Sequence, residues 1–334
     1  MFKGRTEKFR RNADLESLLA HINADLWPSE RELIEQNSEK AMEFPVVLIM
    51  GPLRSGTTLF MQWLANTGIV GYPTNMLSRF YGAPIIGAKI QLLLADVKYS
   101  YRDELGEFIR QVKYVSENGK TKGVLAPNEF WYFWRRFLAR PECDVWTNEE
   151  LMESMDVKGL KAELVGMMDV FGKPFAAKGM LFNYNISFLD SVLDKVVFVQ
   201  MLRDPLSNIR SVLGAREAQM GSRDAWYSFD IPEKSEILRL SPLEQAAAQV
   251  ACINRAVSDG LAGVSGSRKL VVRYEEFCEG PAIVFGKLRQ KINDQGGEVG
   301  PEYQGPDSFQ VRRFSMEKEQ ASLAMKVYNN FMAR

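Results

Sequence analysis

Histidine is nearly absent from this chain of 334 residues, which contains only His21. Proton transfer anywhere else therefore falls to a carboxylate, Lys, Tyr or Cys. Cysteine is almost as scarce. Cys143, Cys252 and Cys278 are scattered and odd in number, and no C-x-x-C or Cys/His cluster occurs. Neither a disulfide framework nor a structural zinc site is indicated, no metal is expected, and a reducing, cytoplasmic location is the default. Neither sign of charge dominates, since Lys+Arg and Asp+Glu both number 42; this argues against a dedicated nucleic-acid binder. No apolar run is long enough to span a bilayer, and Met1 to Arg11 has no apolar core of a signal peptide. The basic cluster Lys3 to Arg11 reads as a solvated terminus, with weak contact to an anionic membrane surface as the other reading. Repeats and low-complexity tracts are missing as well.

The chain is organised around one stretch. Phe44 to Met50 is a short apolar run rich in β-branched residues, the pattern of a buried parallel strand. Gly51 to Thr58 (G-P-L-R-S-G-T-T) follows, and then Leu59, Phe60, Trp63 and Leu64 at helical spacing. A strand feeding a glycine loop that opens a helix is a phosphate cradle, because loop N–H groups and the positive helix end face one anion. The nucleotide-triphosphatase form of this loop ends G-K-S/T. Here Thr57 occupies the Lys position, and the cation has moved inside the loop, to Arg54. Such a loop suits a phosphate ester whose far end is transferred without a metal. The alternative is a tight strand–helix turn with no ligand.

Further strands are expected at Pro174 to Gly179, Lys195 to Leu202 and Lys269 to Tyr274. With the helical stretches between them they predict an α/β class, a single P-loop-type domain with a central parallel sheet flanked by helices. Arg203 falls at the carboxyl end of a central strand, the edge where such sheets bind ligands. Asp204 and Pro205 open the next helix, and Ser207 and Ser211 share one of its faces. Arg203 with a Ser makes a second anion clamp, separate from the glycine loop; a salt-bridged strand end is the alternative.

Residues 12–40 read as helical, with Asp14 capping a first helix that buries Leu15, Leu18, Leu19 and Ile22, and Ser29 capping a second. This gives a helical extension over 1–40 and a main domain over 41–334. Between about 70 and 170 no strong strand signal appears. Helices are expected at Ile85 to Val97 and Asp103 to Arg110, and six aromatics crowd Phe130 to Phe137. Phe130, Phe133, Trp134 and Phe137 fit one buried helical face; Trp131 and Tyr132 point elsewhere and, beside Glu129, form a stacking platform for a ring-shaped acceptor. Residues 292–309 read as a loop or lid, and Met316 to Phe331 as a final helix.

Four blocks in order resemble the sulfotransferases that use 3′-phosphoadenosine 5′-phosphosulfate (PAPS). Gly51 to Leu59 resembles the family's 5′-phosphosulfate loop, in the R-S-G-T-T-L form of tyrosylprotein and bacterial carbohydrate members. Arg203-Asp-Pro to Ser211 resembles the 3′-phosphate motif. Lys178-Gly-Met is similar to the K-x-P segment, with Met180 in place of proline. Val272-Arg-Tyr-Glu-Glu-Phe277 resembles the R-Y-E-x-L block. The resemblance implies PAPS as donor and no metal. It implies that Arg54 and Lys178 stabilise the transferring sulfuryl group, that Ser55, Gly56, Thr57 and Thr58 cradle the 5′-phosphate, and that Arg203 and Ser211 clamp the 3′-phosphate. Tyr274 would lie near the adenosine, and Arg312 and Arg313 would close the site from the C-terminal loop.

The base departs from the family pattern. No carboxylate occurs in Gly71 to Met76, where tyrosylprotein members place a Glu, and His21 precedes the loop. Glu129, in Pro127-Asn-Glu129, resembles the acidic P-x-E segment of bacterial members, with aromatics that would raise its pKa; Asp103, Glu104 and Glu107 are alternatives. Sulfuryl transfer to a hydroxyl passes through a loose, charge-spread transition state, by analogy with phosphoryl transfer. The expected acceptor is a small molecule or carbohydrate, by preference a sugar hydroxyl of a polysaccharide or glycolipid precursor. A P-loop kinase using ATP and a non-catalytic nucleotide-binding protein are the rival readings.

Overall fold

A computed structural model describes residues 4–102, 104–106, 112–117, 119–298, 300 and 302–334. Among the described residues there are six strands: β1 Val46–Met50, β2 Ser116–Glu117, β3 Lys120–Thr121, β4 Phe175–Lys178, β5 Val196–Leu202 and β6 Lys269–Arg273. Four form one sheet in the order β4-β1-β5-β6, and every pairing in it is parallel. The fold is α/β with a central parallel sheet, as the sequence predicts.

The strands are apolar on both sides because both sides are covered. Leu48, Met50, Ala177, Val196 and Phe198 pack into one core. Val47, Ile49, Ala176, Val197 and Val199 alternate with them and enter a second core on the opposite face. The helix Thr57–Thr67 lies on that second face and buries Phe60, Trp63 and Leu64 completely. Full burial of one such side chain is worth about 1.5–3 kcal/mol. The Trp63 indole N–H is not sacrificed, since it donates to the Tyr303 hydroxyl at 3.1 Å.

The N-terminal region differs from expectation. One helix, Ala13–Asn37, replaces the predicted two, and Asn12 rather than Asp14 caps it. Pro28 lies inside this helix, where it withdraws one N–H, at an exposed position. Anchors on both sides hold the helix through that point. The Asn23 amide donates to the carbonyls of Leu19 and Arg79, both at 2.8 Å, and accepts from the Gly82 N–H. Glu30 accepts from the N–H groups of Ile85 and Ile86 at 2.8 and 3.0 Å. Leu18, assigned to the buried face, is 56% exposed; of that set Leu19 is the fully buried member.

Residues 4–12 are not a free terminus. Thr6 donates its N–H to the Gln219 carbonyl and its hydroxyl to the Ala218 carbonyl, both at 3.0 Å, and Lys8 pairs with Glu117. The segment is a strap across the molecule. A helix runs over Pro84–Ala95 and the last one over Lys318–Met332. Most of the helix expected over Asp103 to Arg110 lies outside the described residues. Among the described residues no helix is long and apolar enough to cross a membrane.

Candidate active site

The glycine loop leaves β1 at the carboxyl edge of the sheet and enters the helix Thr57–Thr67. Two glycines are obligatory there. Gly51 has φ +133°, and a Cβ on it would lie 2.7 Å from the Met201 carbonyl oxygen. Gly56 has φ +102°, and a Cβ there would collide with the Tyr274 ring. Arg54 adopts φ +64° without being glycine, a backbone state that costs of order 1–3 kcal/mol. Buried amides hold the loop in this shape. Asn183 accepts from the Gly51 N–H at 2.9 Å and donates back to its carbonyl at 3.0 Å. Asn208 donates to the Leu53 carbonyl at 2.8 Å.

The two segments expected to form separate anion clamps are joined into one unit. Arg54 Nε donates to Ser211 Oγ at 3.1 Å, and Arg203 Nη1 donates to the Arg54 carbonyl at 2.9 Å. Arg203 lies over the Tyr274 ring, 4.6 Å from its centroid, and also bonds the Arg312 carbonyl. The expectation of separate clamps is corrected by this contact: β1 and β5 are adjacent strands, so their two exit loops meet. Asp204 caps its helix through the Ser207 N–H at 2.8 Å, which aims Ser211 at the loop.

Beside the loop stands a chain of charges. Lys178, at the end of β4, donates to Thr58 Oγ1 at 2.9 Å and reaches Glu129 Oε1 at 3.4 Å. On the other carboxylate oxygen, Lys120 Nζ lies at 3.1 Å and Trp131 Nε1 at 2.8 Å. Burial works to raise the Glu129 pKa, but the two lysines and the indole N–H outweigh it and hold the carboxyl below its ordinary range. The sequence-based expectation of a raised pKa is overturned: the aromatics do wall off the group, but the cations they enclose with it decide the sign. Lys178 is shifted down, first by burial, which Glu129 partly offsets.

These groups line one cavity of about 510 Å³. Arg54, Gly56, Thr57, Thr58, Arg203 and Tyr274 line it together with Glu129, Lys178, Trp131 and Tyr132. Ser55 sits behind the loop, fully buried, with a hydroxyl that has no partner. Phe309 and Arg312 of the C-terminal loop also line the cavity, whereas Arg313 does not. As predicted, Phe130, Phe133, Trp134 and Phe137 are buried, and Trp131 and Tyr132 face the cavity instead. Of the alternative bases, Glu104 does not line the cavity, and Asp103 and Glu107 lie outside the described residues.

Sequence reasoning missed Lys120, Tyr227 and the strap residues Arg5 and Arg11, all on the cavity wall. Lys120 had a signal. The dipeptide Asn118-Gly119 is a strong hairpin signal in the sequence, and β2 and β3 pair with Glu117 opposite Lys120. Strands of two residues are too short for periodicity to reveal. Nothing local marks Asn183, whose role depends on a contact 132 positions away.

The residues present fit a nucleotide phosphosulfate. A cradle that a Cβ would fill at position 56, two threonines at a helix N-terminus and the guanidinium groups of Arg54 and Arg203 line the same cavity, a donor set that suits an anion, whereas Ser55 lies behind the loop and does not reach it. Among the described residues no three His, Cys, Asp or Glu side chains are grouped to hold a metal ion. No family model matches the sequence, and no curated protein matches it. Among solved structures, the sulfotransferase STF9 from Mycobacterium avium aligns with a TM-score of 0.52 at 12% identity, covering 100% of this chain and 79% of that one. The sulfotransferase STF1 from Mycobacterium tuberculosis H37Rv aligns at 0.51 and 10% identity, covering 95% and 81%. The chain has a sulfotransferase-like fold.

Proposed function

We propose that this protein transfers a sulfuryl group from PAPS to an acceptor hydroxyl, by preference a sugar hydroxyl of a polysaccharide or glycolipid precursor. The observation that carries this reading is the convergence, in one cavity, of the glycine loop with its Arg54–Ser211 bond, Arg203, and the Lys178–Glu129 pair. When bound, PAPS supplies the activated sulfur. Gly56, Thr57 and Thr58 hold its 5′-phosphate, with Ser55 buried behind them, and Arg203 and Ser211 its 3′-phosphate. Tyr274 packs against Gly56 and Arg203 near the adenosine.

The acceptor oxygen forms a bond to sulfur as the bond from sulfur to the bridging phosphate oxygen breaks. The electron pair stays on that oxygen, where Lys178 neutralises it. Arg54 meets the charge spread over the sulfuryl oxygens. Glu129 takes the acceptor proton. Its depressed pKa keeps it ionised in the resting protein, and its basicity rises as Lys178 turns from the carboxylate to the leaving oxygen. Trp131 and Tyr132 supply faces on which a sugar ring packs.

Thermal stabilisation tests the donor assignment. At a hundred times its Kd, a ligand adds about 2.7 kcal/mol to the native state. Adenosine 3′,5′-bisphosphate should raise Tm by a few degrees, as in the usual conversion for this chain length of roughly 1–2 °C per kcal/mol, and EDTA should leave the shift in place. Stabilisation by Mg·ATP alone would instead establish the kinase reading.

A further inference from the structure

The two oxygens of Glu129 keep different company. Oε2 accepts from Lys120 Nζ at 3.1 Å and from Trp131 Nε1 at 2.8 Å. Oε1 meets Lys178 Nζ at 3.4 Å, longer than the usual N–H···O distance of roughly 2.7–3.2 Å. The shorter bond of Lys178 is to Thr58 Oγ1, at 2.9 Å, in the donor cradle. One oxygen is pinned, and the other is held loosely by the cation that the proposed transfer sends to the leaving oxygen. Arg54 and Tyr227 also act on this carboxylate electrostatically.

The pinning is built into the fold. Thr121, next to Lys120 on β3, donates its hydroxyl to the Pro127 carbonyl at 2.7 Å, which ties the hairpin to the segment that carries Glu129. Asn128 anchors the same segment, donating its N–H to the Pro73 carbonyl at 2.7 Å and its amide to Asn75 at 2.9 Å. Phe130 then adopts φ +58°, a state that costs of order 1–3 kcal/mol. This turn sends the Phe130 ring into the core, stacked 4.4 Å from Phe133, while Glu129 lines the cavity. On the other side of Lys120, a Cβ on Gly119 would lie 3.5 Å from Arg54 Nη1 and 3.7 Å from Thr58 Oγ1, so the hairpin reaches the glycine loop. Lys120 remains 48% exposed and keeps its charge at little cost, whereas Lys178 is 5% exposed.

We infer that Glu129 Oε1 is the atom that takes the acceptor proton, and that Lys120 and Trp131 are positioning residues that hold Oε2 and keep the carboxylate ionised once Lys178 leaves it. The proton moves from the acceptor oxygen to Oε1. The electron pair it leaves behind forms the bond to sulfur, and the bridging oxygen departs with its own pair. This inference rests on the sulfuryl-transfer reading and adds to it the groups that aim its base.

The test reads the Glu129 carboxyl directly. Infrared difference spectra between each full chain and its Glu129→Gln counterpart isolate the band of the protonated carboxyl as pH falls. In the parent chain that band should stay absent through the ordinary carboxylate range. Lys120→Met should raise its midpoint by about one to three pH units, the usual effect of losing a cation at this distance. Lys120→Arg should restore the parent behaviour. Trp131→Phe, which keeps a ring and loses the N–H, should raise the midpoint less. A second readout uses PAPS with water as the acceptor: the acid limb of sulfate release should move with the infrared midpoint in each variant. A midpoint unmoved by Lys120→Met, or a limb that stays in place while the midpoint moves, would overturn the inference. Failure of the parent chain to bind adenosine 3′,5′-bisphosphate or to release sulfate from PAPS would count against sulfuryl transfer itself, while the infrared midpoint still decides whether Lys120 governs Glu129. Melting of each variant checks that its fold is intact.

Discussion

The parts of the cavity that we assign to the donor and to the acceptor are built by different means. The donor part stands on strand ends. Its loop is fixed by buried amides from Asn183 and Asn208 and by backbone states available at Gly51 and Gly56. The acceptor part is assembled from segments that start far apart in the chain: the strap, the β2–β3 hairpin, the aromatic helix Trp131–Arg136 and the loop around Tyr227. The ion pairs Lys8–Glu117 and Lys120–Glu129 join the strap, the hairpin and the start of the aromatic helix, and Arg135–Asp144 ties that helix to the segment that accepts the Asp230 N–H. A sheet edge can hold a constant ligand in one geometry, and charged pairs between surface segments are easily exchanged. This division suits an enzyme with a fixed donor and a particular acceptor.

The sharpest way to break the comparison is at Glu129, which should matter for turnover and not for donor binding. Glu129→Gln should lower kcat by roughly 10²–10⁴ and leave the bisphosphate Kd unchanged. Turnover near that of the parent protein would remove Glu129 as the base. Its pKa is held down, so the acid limb of kcat/KM should lie below the ordinary carboxylate range, and activity should stay level as pH falls toward 5.

A smaller effect sharpens the donor side. Arg203→Ala removes a guanidinium that a 3′-phosphate would engage, and a hydrogen bond to a charged group contributes about 1.5–3 kcal/mol. Binding of adenosine 3′,5′-bisphosphate should therefore weaken by roughly 10- to 150-fold. Ser211→Ala should weaken it less. Adenosine 5′-phosphosulfate, which has no 3′-phosphate, should be nearly unaffected by either change. Equal losses for both ligands would show that these residues do not read the 3′-phosphate.

The smallest effect concerns the acceptor scaffold. Burial pushes Glu163 up to about 8, against the pull of Arg136. A carboxyl with a raised folded pKa stabilises the protein most when protonated in both states. That contribution is full below its unfolded value of 4.5 and is lost as pH rises to about 8. Tm should decline across that interval, and Glu163→Gln should flatten the decline whatever it does to the absolute Tm. An unchanged slope would mean that other groups dominate.

How much of this was legible in the sequence followed the same division. All four sheet strands and the helix after the glycine loop carry their own periodicity, so their positions could be read directly. So could Arg203 and Ser211, because a strand end and an Asp-Pro helix start are local signals. The contact between Arg54 and Ser211 was not legible, since it depends on which strands are neighbours. The hairpin that delivers Lys120 was too short to show periodicity, and the strap looked like any basic terminus. Asn23 and Glu30 carry the first helix through Pro28 by contacts with residues more than 50 positions away, so local rules placed a boundary where none exists.

Arg54 has a backbone that glycine would adopt without strain, at a position to which the proposed transfer assigns a long cationic side chain. Stability and activity therefore pull this one position in opposite directions. A lineage released from selection for transfer could substitute glycine there and fold more stably than before. Retention of Arg54 in a descendant of this protein, whatever else has drifted, would mark a site still under selection for chemistry.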